Sequence, residues 1–324
     1  MDWILSTESS LTQSPNKLDL FWHKHINTGV FKGSGELDIA YAWCVPENAH
    51  ATVVISSGRI ESYLKYKEVI WELFVNGFAV FILDHRGQGL SERMTDNPHY
   101  GYVADFYDYV ADFSDFITHI VRPNEPSGPR FLLAHSMGSA IGALTLLSSP
   151  DCFHRAVFCS PMFGIRPALP KWLSRRLLTW VGRRYQRAGK PTGYFIGQKN
   201  YHPHGFAGNR LTHSEIRYQL FRELYAQVPE IQLGGVTVSW LQAALTAMDE
   251  IHRRANELTV PALILSAQKD TVVDNKKQSH IARFAPNTRL ITIPQAYHEL
   301  LMESDPMRMP VMSHILQFFS EQPE

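Results

Sequence analysis

Short, continuous apolar runs recur along this chain, separated by stretches of helical periodicity. Thr52-Val53-Val54-Ile55-Ser56, Ala79 to Leu83, Arg130-Phe131-Leu132-Leu133 and Ala156-Val157-Phe158-Cys159 are too short for helices and show no polar alternation. Strands buried on both faces read this way. Helical spacing fills the intervals Tyr63 to Asn76, Val103 to Val121 and Ala140 to Leu147, and strands are expected in about residues 25–45. The alternation stops after Pro161. From Met162 to about Asn256 the chain reads as helical, aromatic and basic in patches, and alternation resumes at Val260 with strands over Pro261 to Ala267 and Arg289 to Pro294. The pattern predicts an α/β fold with a mostly parallel central sheet and helices on both faces. Residues 1–161 and 257–324 are the two parts of one core, and residues 162–256 are a helical cap inserted between them.

Candidate chemistry lies where these strands end. Ala134-His135-Ser136-Met137-Gly138 joins a strand to a helix, and a serine at such a turn, flanked two positions away by small residues, is a nucleophile elbow. The competing reading is a serine that caps a helix. A serine alcohol needs a base, and the base needs a third group to orient it. Asp270 follows the strand Pro261 to Ala267, with Asp274 as a nearby rival, and His298 follows the strand Arg289 to Pro294. The order Ser136, Asp270, His298 is that of the α/β-hydrolase fold. An oxyanion would be held by the backbone N–H of Met137 and, after the strand ending at Ser56, by that of Arg59, with Gly58 allowing close approach.

Ile82-Leu83-Asp84-His85-Arg86-Gly87-Gln88-Gly89-Leu90-Ser91, the elbow, and Ala296-Tyr297-His298-Glu299 together resemble the monoacylglycerol lipase and bacterial lysophospholipase branch of the α/β-hydrolases. Gly58-Arg59-Ile60-Glu61-Ser62-Tyr63 and Pro229-Glu230-Ile231-Gln232-Leu233-Gly234-Gly235 bring the similarity closest to the lysophospholipases. It spans about Leu37 to Phe319, with Ser139 departing from the glycine often found there. The resemblance implies an α/β-hydrolase fold and a serine hydrolase that cleaves the carboxylic ester of lysophospholipids or monoacylglycerols. It implies an acyl-enzyme on Ser136 and neither metal nor organic cofactor. A short-chain carboxylesterase or thioesterase would use the same three residues, and a non-catalytic binding protein could keep the fold. An epoxide hydrolase or dehalogenase would carry aspartate at the elbow, where this chain has Ser136.

Glycines after the strand Ala79 to Leu83 invite a phosphate-loop reading, but the Gly-Lys-Ser/Thr ending is missing. Asp84 and Arg86 are instead expected to pair inside a supporting turn. Lys plus Arg and Asp plus Glu both number 31 in 324 residues, so no net field points to nucleic acid. The three cysteines, Cys44, Cys152 and Cys159, lie in apolar surroundings and suit a reducing compartment better than a disulfide framework. The N-terminal stretch carries an acid where a secretory signal is basic, and no run is long enough to span a bilayer. A cytoplasmic enzyme is expected. His202-Pro203-His204 lacks a third ligand at metal spacing and reads as a mobile loop. Phe221 to Gln227 reads as a helix with an aromatic stripe. Lys171 to Arg187 reads as a basic amphipathic helix, on which Trp172 or Leu173, Arg176 or Leu177, Trp180 and Arg184 recur at three- and four-residue steps. It suits either peripheral contact with an anionic membrane or packing on the core with its arginines in water.

Overall fold

The computed structural model describes residues 3–14, 16–166 and 171–321. Two helices, α1 (Glu8–Gln13) and α2 (Lys17–His25), precede a hairpin of β1 (Asn27–Lys32) and β2 (Asp38–Cys44). Then come β3 (Ala51–Ser56), α3 (Lys67–Val75), β4 (Phe78–Leu83), α4 (Phe106–Phe116), the short α5 (Arg122–Asn124), β5 (Arg130–His135), α6 (Met137–Ser148) and β6 (Arg155–Cys159). Three helices follow: α7 (Lys171–Arg187), α8 (Glu215–Gln227) and α9 (Val238–Arg253). The chain returns to the sheet with β7 (Ala262–Ala267), α10 (Asn275–Phe284), β8 (Thr288–Ile293) and α11 (Asp305–Ser320). The sheet has eight strands in the order β1-β2-β4-β3-β5-β6-β7-β8. Only β2 runs against its neighbours; β4 to β8 and β3 are parallel.

The central strands are apolar throughout because both faces are covered. Ala79, Phe81 and Leu83 of β4 enter a core shared with α4, α6 and α9, while Phe78, Val80 and Ile82 enter the opposite core with α3 and α11. Period-two geometry divides one apolar run between two layers. The helix expected from Val103 starts at Phe106, where Asp105 caps it by accepting from Tyr107 N–H, and it ends in a π turn over Ile117–Val121. The stretch expected as one helix from Tyr63 opens with a 3₁₀ turn before α3.

Buried ion pairs fasten these layers. Arg308 of α11 and Arg217 of α8 are fully enclosed, and they meet Glu72 (2.7 Å) and Glu68 (2.9 Å) on α3. Ser6 donates from its hydroxyl to Glu68 and Glu72, which anchors the N-terminal segment on the same carboxylates. Arg217 also ties the inserted helices to the core.

Candidate active site

β5 delivers its last residues to a turn so sharp that Ser136 adopts φ +48° and ψ −113°. A non-glycine residue held there stores about 1–3 kcal/mol of strain, which the surrounding packing must sustain. The packing is close. A Cβ on Gly138 would lie 2.0 Å from the Ser56 carbonyl oxygen, so only glycine fits beside β3. Ser139 is accommodated by donating its hydroxyl to the Ala134 carbonyl at 3.0 Å. Ser136 N–H donates to Cys159 O, and Met162 N–H donates to Ser136 O, which pins the elbow to the end of β6.

The three widely separated residues converge. His298 Nε2 lies 3.0 Å from Ser136 Oγ, and His298 Nδ1 lies 2.7 Å from Asp270 Oδ2. Asp270 Oδ1 accepts from Val272 N–H (2.7 Å) and Val273 N–H (3.0 Å), so the carboxylate is fixed at the end of β7. Burial alone would raise its pKa, but the bond and charge of His298 and the two N–H groups hold it below the ordinary carboxylate value. Asp274 is elsewhere: it caps α10, accepting from Lys276 N–H at 3.0 Å. The acid, base and alcohol form one hydrogen-bonded chain, an arrangement able to deprotonate the serine as it attacks a carbonyl.

A family model described as serine aminopeptidase, S33, matches residues 47–305, which is most of the chain. The chain belongs to that family. It is 34% identical to lysophospholipase L2 of Escherichia coli over 98% of this chain and 94% of the relative. Human monoglyceride lipase is 26% identical, covering 86% of this chain and 85% of that protein. Among solved structures, a soluble variant of monoglyceride lipase from Saccharomyces cerevisiae superposes with a TM-score of 0.71 at 16% identity, covering 92% of this chain and 96% of that one. A carboxyl esterase from Bacillus coagulans gives 0.70 at 17%, covering 91% and 98%. The fold is therefore that of the α/β-hydrolases, and the chain is a hydrolase of this family.

Around the triad lies a second set of buried charges that the sequence reading did not single out. Lys65 Nζ bridges Glu61 (2.5 Å) and Glu299 (2.6 Å), and Glu61 also meets His135 Nδ1 (3.0 Å) and the Tyr66 hydroxyl (2.6 Å). Glu61 accepts from Gly58 N–H as well, and His135 Nε2 faces the His298 carbonyl at 3.4 Å. Burial opposes ionisation of Glu61, yet Lys65 and His135 hold its carboxyl well below the usual range. Burial likewise opposes the charge of Lys65, and Glu299 and Glu61 restore and raise it. Glu61, His135 and Glu299 lie close enough together for a metal, but an ammonium already bridges the two carboxylates. The available signal was the Glu61/Lys65 spacing of four beside Glu299, the neighbour of His298.

Asp84 and Arg86 do not pair. Arg86 makes a two-pronged contact with Asp112 of α4, both bonds 2.6 Å. Asp84 accepts from Ser62 Oγ, Tyr63 N–H and Leu90 N–H, and burial lifts its pKa to about 7 against those donors. Both residues lie past the end of β4, in the turn that follows it, where strand alternation no longer sets direction and each side chain meets a different part of the core. Next to them, His85 meets Ser56 Oγ at 3.0 Å, and burial lowers its pKa to about 3.

A cavity of about 820 Å³ opens at Ser136 and His298. Apolar walls come from Met162, Phe163, Leu178, Phe195, Leu241 and Met248, so α7 and α9 of the insert roof the nucleophile. His202 and His204, expected to be a mobile loop, border this cavity with their rings 5.5 Å apart. Met137 begins α6, where its N–H has no intrahelical acceptor, and Arg59 lines the cavity. On α7, Leu178 and Val181 turn inward, whereas Trp180 is 57% exposed beside Arg184. This corrects the expected face, which joined Leu177 and Trp180; the side chains of Trp172 and Leu173 lie outside the described residues. Among the described residues no helix is long and apolar enough to cross a membrane.

Proposed function

We propose that this chain hydrolyses the carboxylic ester of lysophospholipids or monoacylglycerols. One observation carries the reading: the Ser136–His298–Asp270 chain of hydrogen bonds opens into a largely apolar cavity big enough for an acyl chain. Ser136 Oγ bonds to the acyl carbon as His298 Nε2 takes its proton. Asp270 orients and stabilises the imidazolium. The N–H groups of Met137 and Arg59 hold the tetrahedral oxyanion. Its collapse breaks the ester bond, and His298 gives the proton to the departing glycerol oxygen. Water, deprotonated by His298, then attacks the acyl-enzyme; fatty acid leaves and Ser136 regains its proton. The relatives named lysophospholipase and monoglyceride lipase support the choice of ester.

Residues 162–256 act as the lid of this site, and the exposed Trp180 with Arg183, Arg184 and Arg187 offers it a contact with an anionic membrane surface. Ser136→Ala tests the assignment. Labelling by a fluorophosphonate should vanish, and turnover of either lipid should fall by about four orders of magnitude or more, with the melting midpoint near wild type. Retention of about a tenth of the activity would remove Ser136 from its role.

A further inference from the structure

Two partly buried arginines in the cavity wall each enclose a guanidinium Nε, and neither meets a carboxylate among the described residues. Arg59 donates from Nη2 to the carbonyls of Gly234 (3.0 Å) and Gly235 (2.7 Å) and lies 5.0 Å over the Trp240 ring, and its buried Nε has no acceptor. The ionisable groups that act on it are the hydroxyls of Tyr109, Tyr225 and Tyr194, and burial lowers its pKa to about 10. Arg222 of α8 rests over Tyr218 and Phe221, and its buried Nε likewise has no acceptor. Tyr225 links the two: its hydroxyl donates to the carbonyl of Ile60, the residue after Arg59, and its ring lies 4.6 Å from that of Phe221, over which Arg222 rests.

The acids of the same cavity are already engaged. Glu61 and Glu299 share Lys65, Asp249 pairs with Arg175, and Asp274 caps α10. The cavity therefore keeps positive charge that no side chain neutralises. A guanidinium with one enclosed N–H left without an acceptor gains when an anion reaches it, and its fork of N–H donors matches phosphate oxygens. A monoacylglycerol brings no charge. A lysophospholipid brings a phosphodiester on the same glycerol as the ester to be cleaved, and Arg59 follows Gly58, which abuts His135, the residue before Ser136.

We propose that Arg59 and Arg222 form a phosphate subsite that selects lysophospholipids over monoacylglycerols. The proposal rests on the ester-hydrolase reading above and narrows its substrate. Decanoyl lysophosphatidylglycerol and decanoyl monoglyceride, both presented as monomers, are the paired probes. Wild type should prefer the phospholipid in kcat/KM. Arg222→Gln and Arg59→Gln should each reduce that preference about tenfold to a hundredfold, as expected for loss of a hydrogen bond to a charged group. Arg222→Lys should restore part of it. Glycerol 3-phosphate should inhibit monoglyceride cleavage by wild type and inhibit the Gln variants less, whereas decanoate should inhibit all alike. Equal wild-type rates on the two lipids, losses that run in parallel for both, or inhibition by decanoate that tracks the arginines would each overturn the phosphate assignment and leave the ester reading standing. A wild type that cleaves neither lipid would remove both.

Discussion

Two aspartates four residues apart follow β7, and their surroundings give them different work. Asp270 holds His298 through Oδ2 while two backbone N–H groups occupy Oδ1; Asp274 points its carboxylate at the N-terminus of α10. Asp270→Asn should lower kcat by about four orders of magnitude, because an amide favours the wrong imidazole tautomer. Asp274→Asn keeps a good capping residue and should change both rate and stability little. Steady-state kinetics on the two variants decides, and the opposite ranking would move the acid. The order of serine, acid and histidine was legible because each follows a strand whose apolar run is unmistakable. The Glu61–Lys65–Glu299 cluster was not, since local sequence does not show that Glu299 folds back onto a helix more than two hundred residues earlier. That cluster has a pH signature. Glu61 has its folded pKa depressed, so its contribution is present above the ordinary carboxyl value of about 4.5 and is lost as pH falls through the folded pKa. Lys65→Met removes one of the two charges that hold Glu61 down and leaves His135 and the Gly58 N–H in place, so the depression shrinks without changing sign. The variant should then lose less stability than wild type as pH falls below about 4.5, the slope for one group being at most about 1.4 kcal/mol per pH unit. Melting midpoints across acid to neutral pH read this directly; parallel wild-type and variant curves would contradict it.

Among the elements, α7 is where periodicity misled. Apolar residues on that helix occupy two directions: Leu178 and Val181 pack toward α9, and Trp180 faces water with Arg183, Arg184 and Arg187. Sequence spacing identifies an amphipathic helix, but where α9 sits decides which apolar residues turn inward, and that contact is between distant segments. The same limit hid α1 and α2, whose burial comes from packing on α8 and α3 respectively rather than from a strong stripe of their own. Strands were easier, because a run buried on both faces carries its own signature. If the outer face of α7 meets lipid, the protein should sediment with anionic vesicles at low salt and be released as salt rises. Replacing Trp180 by Ala and Arg183, Arg184 and Arg187 by Gln should abolish sedimentation while sparing hydrolysis of a soluble short-chain ester. Vesicle binding unchanged by these four substitutions would place the contact elsewhere.

At the scale of the whole molecule, the break in alternation at Met162 marks the stretch where α7, α8 and α9 stand between β6 and β7, but gives no sign of how these helices are held over the site. The structure holds them with charge. Arg217 of α8 is 1% exposed and reaches Glu68 on α3, Asp305 at the start of α11 and the Glu303 carbonyl, so one side chain joins the insert to two core helices. Removing one member of such a pair leaves the other charged and enclosed, at about 3–5 kcal/mol, much of which reflects the stranded partner rather than the worth of the bond. Arg217→Met and Glu68→Gln should therefore each be strongly destabilising. The double variant, which strands less charge, should be more stable than the sum of the two losses implies by at least about 1 kcal/mol. Arg308 stays 3.5 Å from Glu68 in the Arg217 variant, so part of the carboxylate's compensation survives and that single loss should be the smaller for it. Because α8 also carries Arg222 and Tyr225 to the cavity, loosening should appear first as faster amide exchange over residues 215–227, before global unfolding. Denaturant melts of the four proteins with exchange mass spectrometry measure both effects; additive losses with unchanged exchange in α8 would show that the insert is held by its apolar contacts instead.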